Sequence, residues 1–225
     1  EGLTRGTSDD QYGGGGDDDD RGVFKYVSLR YGGDAVLPAV ELNGLSLGAI
    51  GRDTDIHHID IMNNLDDGIE IWGGTVNLKY LNVWNVGDDS IDIDQGFRGK
   101  IQFALIVQGY SLAAAQGSGT GDNCFEVDGG EHCHWQPVTT TVIYNATVIG
   151  QPDSPAAVPP RTGGDHATAW RSNARAQYRN CIFMDLGERL VGFDNTDGAP
   201  DNSCGYGANG TLSWAATWTT DWNVP

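Results

Sequence analysis

The chain has 225 residues, 39% of them apolar, enough for one domain with its own core. Thirteen basic against 31 acidic residues give a formal net charge of −18, which repels nucleic-acid phosphates and anionic membrane surfaces and argues against a nucleic-acid partner. No stretch approaches the roughly 18 apolar residues that span a bilayer, so no transmembrane segment is expected, and 33 glycines with two methionines suit a turn-rich all-β chain.

Residues 1–21 form an acidic Gly/Asp-rich segment containing GGGGDDDD, which composition alone reads as a solvated loop. If ordered, its four carboxylates Asp17, Asp18, Asp19 and Asp20 need a counter-charge: Ca²⁺, a basic patch on a partner, or Arg21 and Arg5. Alternating runs then predict strands in GVFKYVSLRYGG (22–33) and LNGLSLGAIG (42–51). Next, IHHIDIMNNLDDGIEIWGG (56–74) and LKYLNVWNVGDDSIDIDQG (78–96) superimpose without a gap at a shift of 22 residues. Ile59 falls on Leu81, Ile61 on Val83, Asp66 on Asp88, Asp67 on Asp89, Ile69 on Ile91 and Ile71 on Ile93.

Each copy holds two short alternating strands around a polar turn. A unit this small cannot bury its apolar side alone, but stacked copies share a continuous core. The expected fold is therefore a right-handed parallel β-helix of about 22 residues per rung. Ile59, Ile61, Ile69, Ile71, Leu81, Val83, Ile91 and Ile93 point inward, and Glu70 and Asp92 point outward. Downstream strands are expected in 99–109, 124–130, 139–150 and 176–194, making six or seven rungs within residues 22–195. The Gly/Ser/Ala-rich 110–123 and the Pro-rich 151–165 read as loops. Residues 196–225 read as a Trp-rich cap closing a single domain, 1–225. Trp214, Trp218 and Trp222 share one strand parity there, which suits either a cover over the coil or a binding platform for sugar or protein.

The four cysteines match no zinc or redox spacing; an even count suggests disulfides, with sequence proximity favouring Cys124–Cys133 and Cys181–Cys204. Bridges would require an oxidising, extracytoplasmic compartment, and four free thiols are the competing reading.

Rungs about 4.8 Å apart would stack Asp66 on Asp88 and Asp67 on Asp89, a repulsion of roughly 1 kcal/mol per pair in water and about 3–4 at an effective dielectric of 20. Three readings are open: turn aspartates accepting backbone N–H bonds, a cation site that includes Asp66 and Asp88, or acids with raised pKa values fitted for proton chemistry. NLDDGIEI and VGDDSIDI resemble the two-rung core signature of polygalacturonase-type glycoside hydrolases. That resemblance implies Asp67, Asp88 and Asp89 as the catalytic acids of an inverting hydrolysis. The pattern departs from that family in an extra residue after Asn64 and in lacking the following G-H-G and R-x-K. The basic residues nearest these acids are read as Lys79, Arg98 and Lys100.

A longer succession, NGLSLGAIG, DDGIEIWGGTVNLKYL, GDDSIDIDQGFRGKIQFAL, NCFEVDGG, ATVIG and RSNARAQYRNCIFMD, resembles secreted or lipid-anchored bacterial right-handed β-helix surface proteins of unassigned activity. It implies a periplasmic, cell-surface or secreted location. The combined expectation is a non-catalytic binding or structural subunit, with Ca²⁺ as the candidate cofactor. Its partner would be a polysaccharide, a surface protein or the exposed face of a larger membrane assembly. The alternative is a polysaccharide hydrolase or lyase using Asp67, Asp88 and Asp89.

Overall fold

The computed structural model describes residues 2–3, 11–33, 35–37, 40–109, 121–130, 135–152 and 164–193. Among the described residues the regular elements are all strands, and no helix is long and apolar enough to cross a membrane. Leu45–Gly48, Ile69–Trp72, Ile91–Asp94, Phe125–Val127, Thr168–Trp170 and Val191–Phe193 build a six-stranded parallel sheet, one strand per rung. The second sheet carries the longer strands Val23–Arg30, Asp55–Met62, Leu78–Trp84 and Lys100–Val107. In the last two rungs each long strand is divided, into Thr140–Tyr144 and Thr147–Ile149, then Arg175–Arg179 and Ile182–Met184. Every neighbour in both sheets is parallel, with crossovers winding right-handed as such connections do. The fold is a right-handed parallel β-helix with six rungs described.

The internal repeat sets the register. Ile69 pairs with Ile91 and Ile71 with Ile93, while Ile59 pairs with Leu81 and Ile61 with Val83. All eight side chains are at most 1% exposed. Each such side chain contributes roughly 1.5–3 kcal/mol by leaving water, so the column they form is the main cohesion of the coil. Between them Glu70 and Asp92 stand in register on the outer face and are half-buried.

Each rung turns a corner inside its long strand at one residue with positive φ: Tyr26 (57°), His58 (55°), Tyr80 (58°), Phe103 (62°), Asn145 (54°) and Asn180 (54°). This conformation costs an ordinary L-residue roughly 1–2 kcal/mol. Stacking offsets part of that cost. Ring centroids lie 4.6 Å apart for Tyr26 and His58, 4.4 Å for His58 and Tyr80, and 5.1 Å for Tyr80 and Phe103. At the later rungs asparagine, which tolerates this region, takes over, and Asn180 Nδ2 donates to Asn145 Oδ1 at 2.5 Å.

Two features differ from the sequence reading. Thr168–Trp170 is a sheet strand although TAW shows no apolar alternation; pairing with Phe125–Val127 and Val191–Phe193 imposes it. The Gly/Asp run is latched onto the turns, because the Asp17 carbonyl accepts from Arg52 N–H at 2.9 Å and Thr75 Oγ1 at 2.5 Å. The Trp-rich segment 196–225 and Arg5 lie outside the described residues.

Candidate functional site

The acids of the repeat gather where the polar turns enter the six-stranded sheet. Asp67 and Asp89 are buried, and their carboxylates face the next rung. Asp67 Oδ1 accepts the Asp89 N–H at 2.9 Å, and Asp89 Oδ1 accepts the Asn123 N–H at 2.7 Å. Asn123 Oδ1 receives the His166 N–H at 3.4 Å in the same way. One turn position is thus a ladder of side-chain acceptors, each meeting a backbone donor that the open turn leaves without a strand partner. Asn64 holds the first turn by donating Nδ2 to the carbonyls of Asp67 at 2.8 Å and Leu42 at 3.0 Å. Gly68 follows Asp67 because a Cβ there would stand 2.5 Å from both Ser90 O and Val83 Cγ1.

Asp66, Asp88 and Asp122 lie beside this ladder, and Glu70, Asp92 and Glu126 follow it in register on the outer sheet face. Oxygens of Asp66, Asp67 and Asp88 lie within 4.8 Å of one another, as do those of Asp67, Glu70 and Asp92 and those of Asp88, Asp89 and Asp122. Asp92 Oδ1 is enclosed and has no hydrogen-bond partner. Burial pushes the carboxyls of Asp67, Asp89, Asp92 and Glu126 well above the usual range, and neighbouring carboxylates push the same way. Asp122 is pushed up to about 8 by burial, by its hydrogen bond with Asp165, and by the charges of Asp165 and Asp88.

Arg171 is the cation among these acids. Its Nε donates to Asp128 Oδ1 at 2.9 Å and its Nη2 to Glu126 Oε2. Burial works to lower its pKa, but the charges of Glu126 and Asp128 raise it further, so it stays charged. Asn43 Nδ2 donates to Glu70 Oε2. Sequence reasoning missed Arg171 because it follows the unrecognised strand Thr168–Trp170. A stack of acids whose two clearest repeats carry one basic residue, Lys79, on the other sheet was the available signal. Lys79, Arg98 and Lys100 are not the cations of this site. Arg98 ion-pairs with Asp17 at 2.7 Å, and the two lysines stand on the outer face of the longer-stranded sheet.

The structure brings Asp66 and Asp88 together with Asp67, and it keeps Asp17, Asp18, Asp19 and Asp20 apart from them. Arginines supply the counter-charge for that run: Asp17 meets Arg98 and Arg52, Asp18 meets Arg52 at 2.7 Å, and Asp19 meets Arg21 at 2.5 Å. Asp20 Oδ1 accepts the Gly22 N–H at 2.7 Å. The arginine at Asp17 holds its carboxyl below the usual range. Cys124 and Cys181 are the cysteines among the described residues, and each of the expected bridges, Cys124–Cys133 and Cys181–Cys204, has its other half outside them. Cys124 is enclosed in the core, and the Cys181 thiol donates to the carbonyls of Arg179 and Ile143. Cys133, Cys204, Trp214, Trp218 and Trp222 lie outside the described residues.

Comparison with known proteins agrees with this architecture. A family model described as "pectate-lyase like beta helix domain" matches residues 3–188. No curated protein and no solved structure matches the chain. The stacked parallel rungs agree with that description, and the chain belongs to the pectate-lyase-like β-helix domain family.

Proposed function

We propose that the chain is a non-catalytic binding or structural module that works outside the cytoplasm. In this reading the rigid faces of its coil meet a glycan, a surface protein or the exposed face of a larger membrane assembly. The observation that carries the reading is the engagement of Asp67 and Asp89, two of the three acids that the hydrolase resemblance would make catalytic. Their carboxylates are buried in the turn ladder and accept backbone N–H bonds, and Asn123 performs the same task with an amide. A position served equally by an amide does not depend on proton transfer.

The remaining acids favour a divalent cation. Asp66, Asp67 and Asp88 offer hard oxygen ligands within 4.8 Å of one another, and the unpartnered Asp92 Oδ1 belongs to the adjoining set with Asp67 and Glu70. Ca²⁺, which takes about six to eight oxygens in flexible geometry, fits such a set better than a metal that prefers nitrogen or sulfur. It would neutralise acids whose mutual repulsion otherwise opposes stacking.

The test combines assays of glycan cleavage with calorimetry in EDTA and in millimolar Ca²⁺. Stabilisation by Ca²⁺ that is lost in Asp66→Asn/Asp88→Asn, with no turnover of acidic or neutral glycans, is the expected result. Cleavage by the wild type that disappears in Asp89→Asn would establish the hydrolase reading with Asp67, Asp88 and Asp89.

A further inference from the structure

All three lysines of this acidic chain, Lys25, Lys79 and Lys100, lie on one face of the coil. The sheet register runs Lys25, His57, Lys79, Gln102, Tyr144 and Arg179 across six successive rungs in one outward row. Alternation along each strand sends Ile56, Leu78, Ile101 and Ile143 into the core and leaves these neighbours outside. Two residues earlier on each strand, Lys100 aligns with Val142 and Gln177. Asp55 is the acid of this face, and it sits at the N-terminal end, 3.8 Å from Lys25 and 3.5 Å from His57.

Beyond that end the character changes. Among the described residues, no carboxylate lies within ion-pair distance of Lys79 or Lys100, although they stand on adjacent rungs in a chain of net charge −18. A groove of about 370 Å³ opens between them, lined by Asn77, Leu78, Lys79, Lys100, Gln102 and Tyr144. Its size falls within the range of about 300–1,000 Å³ usual for small-ligand sites. Two ammonium groups without a carboxylate partner and two amides supply its polar atoms, while the larger, apolar part of the lining suits the carbon face of a sugar ring. Leu78, its aliphatic residue, is fully buried and offers no anchor of the kind that holds a protein partner.

We propose that this face binds a glycan carrying sulfate esters, with one sulfate seated between Lys79 and Lys100 and sugar hydroxyls meeting Asn77 and Gln102. The choice of anion follows from the donors. A planar carboxylate is best matched by an arginine fork, and the fork of Arg179 is already taken, with Nε at 3.1 Å and Nη2 at 2.5 Å from Gln177 Oε1. Lysine ammonium groups act as point charges without a preferred plane, which suits a tetrahedral oxyanion. A glycan with about one charge per sugar is also repelled less by the rest of the molecule than the dense backbone of a nucleic acid. Arg179 closes the C-terminal end of the row, its guanidinium carbon 5.8 Å from the centre of the Tyr144 ring.

The inference rests on the reading of the chain as a binding module but uses a different face from the acids. Glycan cleavage would therefore overturn that reading while leaving binding here measurable. The test is calorimetric titration of the full chain at about 50 mM and 300 mM salt. Probes are sulfated galactan hexasaccharides and chondroitin sulfate oligomers, their desulfated counterparts, a uronate oligomer of equal charge and a short polyglutamate. Sulfated oligomers are expected to bind, more weakly at high salt, with desulfated forms at least about tenfold weaker. Lys79→Ala and Lys100→Ala should each weaken binding, and the double variant should abolish it with an unchanged melting temperature. Arg30→Ala, which removes a cation from elsewhere on the coil, should bind as the wild type does. The proposal is overturned by absence of binding to every sulfated probe, by equal binding of desulfated forms, or by unchanged affinity in the double variant. Equal or tighter binding of the uronate would assign the face to carboxylates, and of polyglutamate to an acidic protein; either would also overturn it.

Discussion

The carboxylate of Asp67 accepts the backbone N–H of Asp89, its own counterpart one rung later, at 2.9 Å and 22 residues along the chain. Repetition of the residue therefore supplies the acceptor of one turn and the donor of the next. This bond explains why aspartates recur at the same position even though their charges repel.

Asp89→Asn is expected to keep the fold and melt at or above the wild-type temperature without added cation. The amide oxygen can still accept the Asn123 N–H, and the variant removes a buried charge facing Glu126 and Asp88. Thermal unfolding in EDTA measures this, and a fall of more than a few degrees would show that the charge itself holds the turn.

Stability should fall as the pH rises through neutrality. Asp122 titrates at about 8 in the folded chain against about 3.9 for a free aspartate. A raised carboxyl means that the folded state binds the extra proton, so its contribution is intact below about pH 4 and declines as the pH climbs to about 8. Asp67, Asp89, Asp92 and Glu126 are displaced in the same direction. In EDTA the chain should melt higher at pH 5 than at pH 8.5, and Ca²⁺ should narrow the gap by raising the value at pH 8.5. Melting curves in matched buffers would reveal it; equal temperatures without cation would contradict the enclosure of these acids.

Ile91→Asp should prevent stable folding. Ile91 is fully buried between Ile69 and Phe125, and a carboxylate there would have neither water nor a partner. Ile91→Val, which removes one methylene, should cost only about 0.5–1.5 kcal/mol. Circular dichroism with urea titration separates the two, and a folded Ile91→Asp would refute the stacking register.

The cysteines should differ in reactivity. Cys124 is enclosed in the core and its thiol is pushed up by burial, whereas Cys181 is half-buried on the last described rung. Thiolate is the reacting form, so native-state alkylation mapped by mass spectrometry should mark Cys181 first and Cys124 only on unfolding. Early labelling of Cys124 would mean that the core opens locally.

The sequence by itself determined the coil. Burial is a property each strand encodes locally, so alternation in IEIW and IDID and the shift of 22 residues were sufficient to align Ile69 with Ile91 and Glu70 with Asp92. Tertiary structure decided the polar partners. Asp89 meets Asn123 after 34 residues and Asn123 meets His166 after 43, because loops of unequal length intervene and only stacking restores the alignment. The same stacking selects Thr168–Trp170 as a strand and carries Arg171 to Glu126. It also supports the positive-φ corners at Tyr80 and Phe103, where no glycine or asparagine marks the bend and the stabilising contact is the ring on the neighbouring rung. An apolar side chain needs only to leave water, whereas a carboxylate, an arginine or a strained corner needs one particular neighbour, which the stacked rungs alone provide.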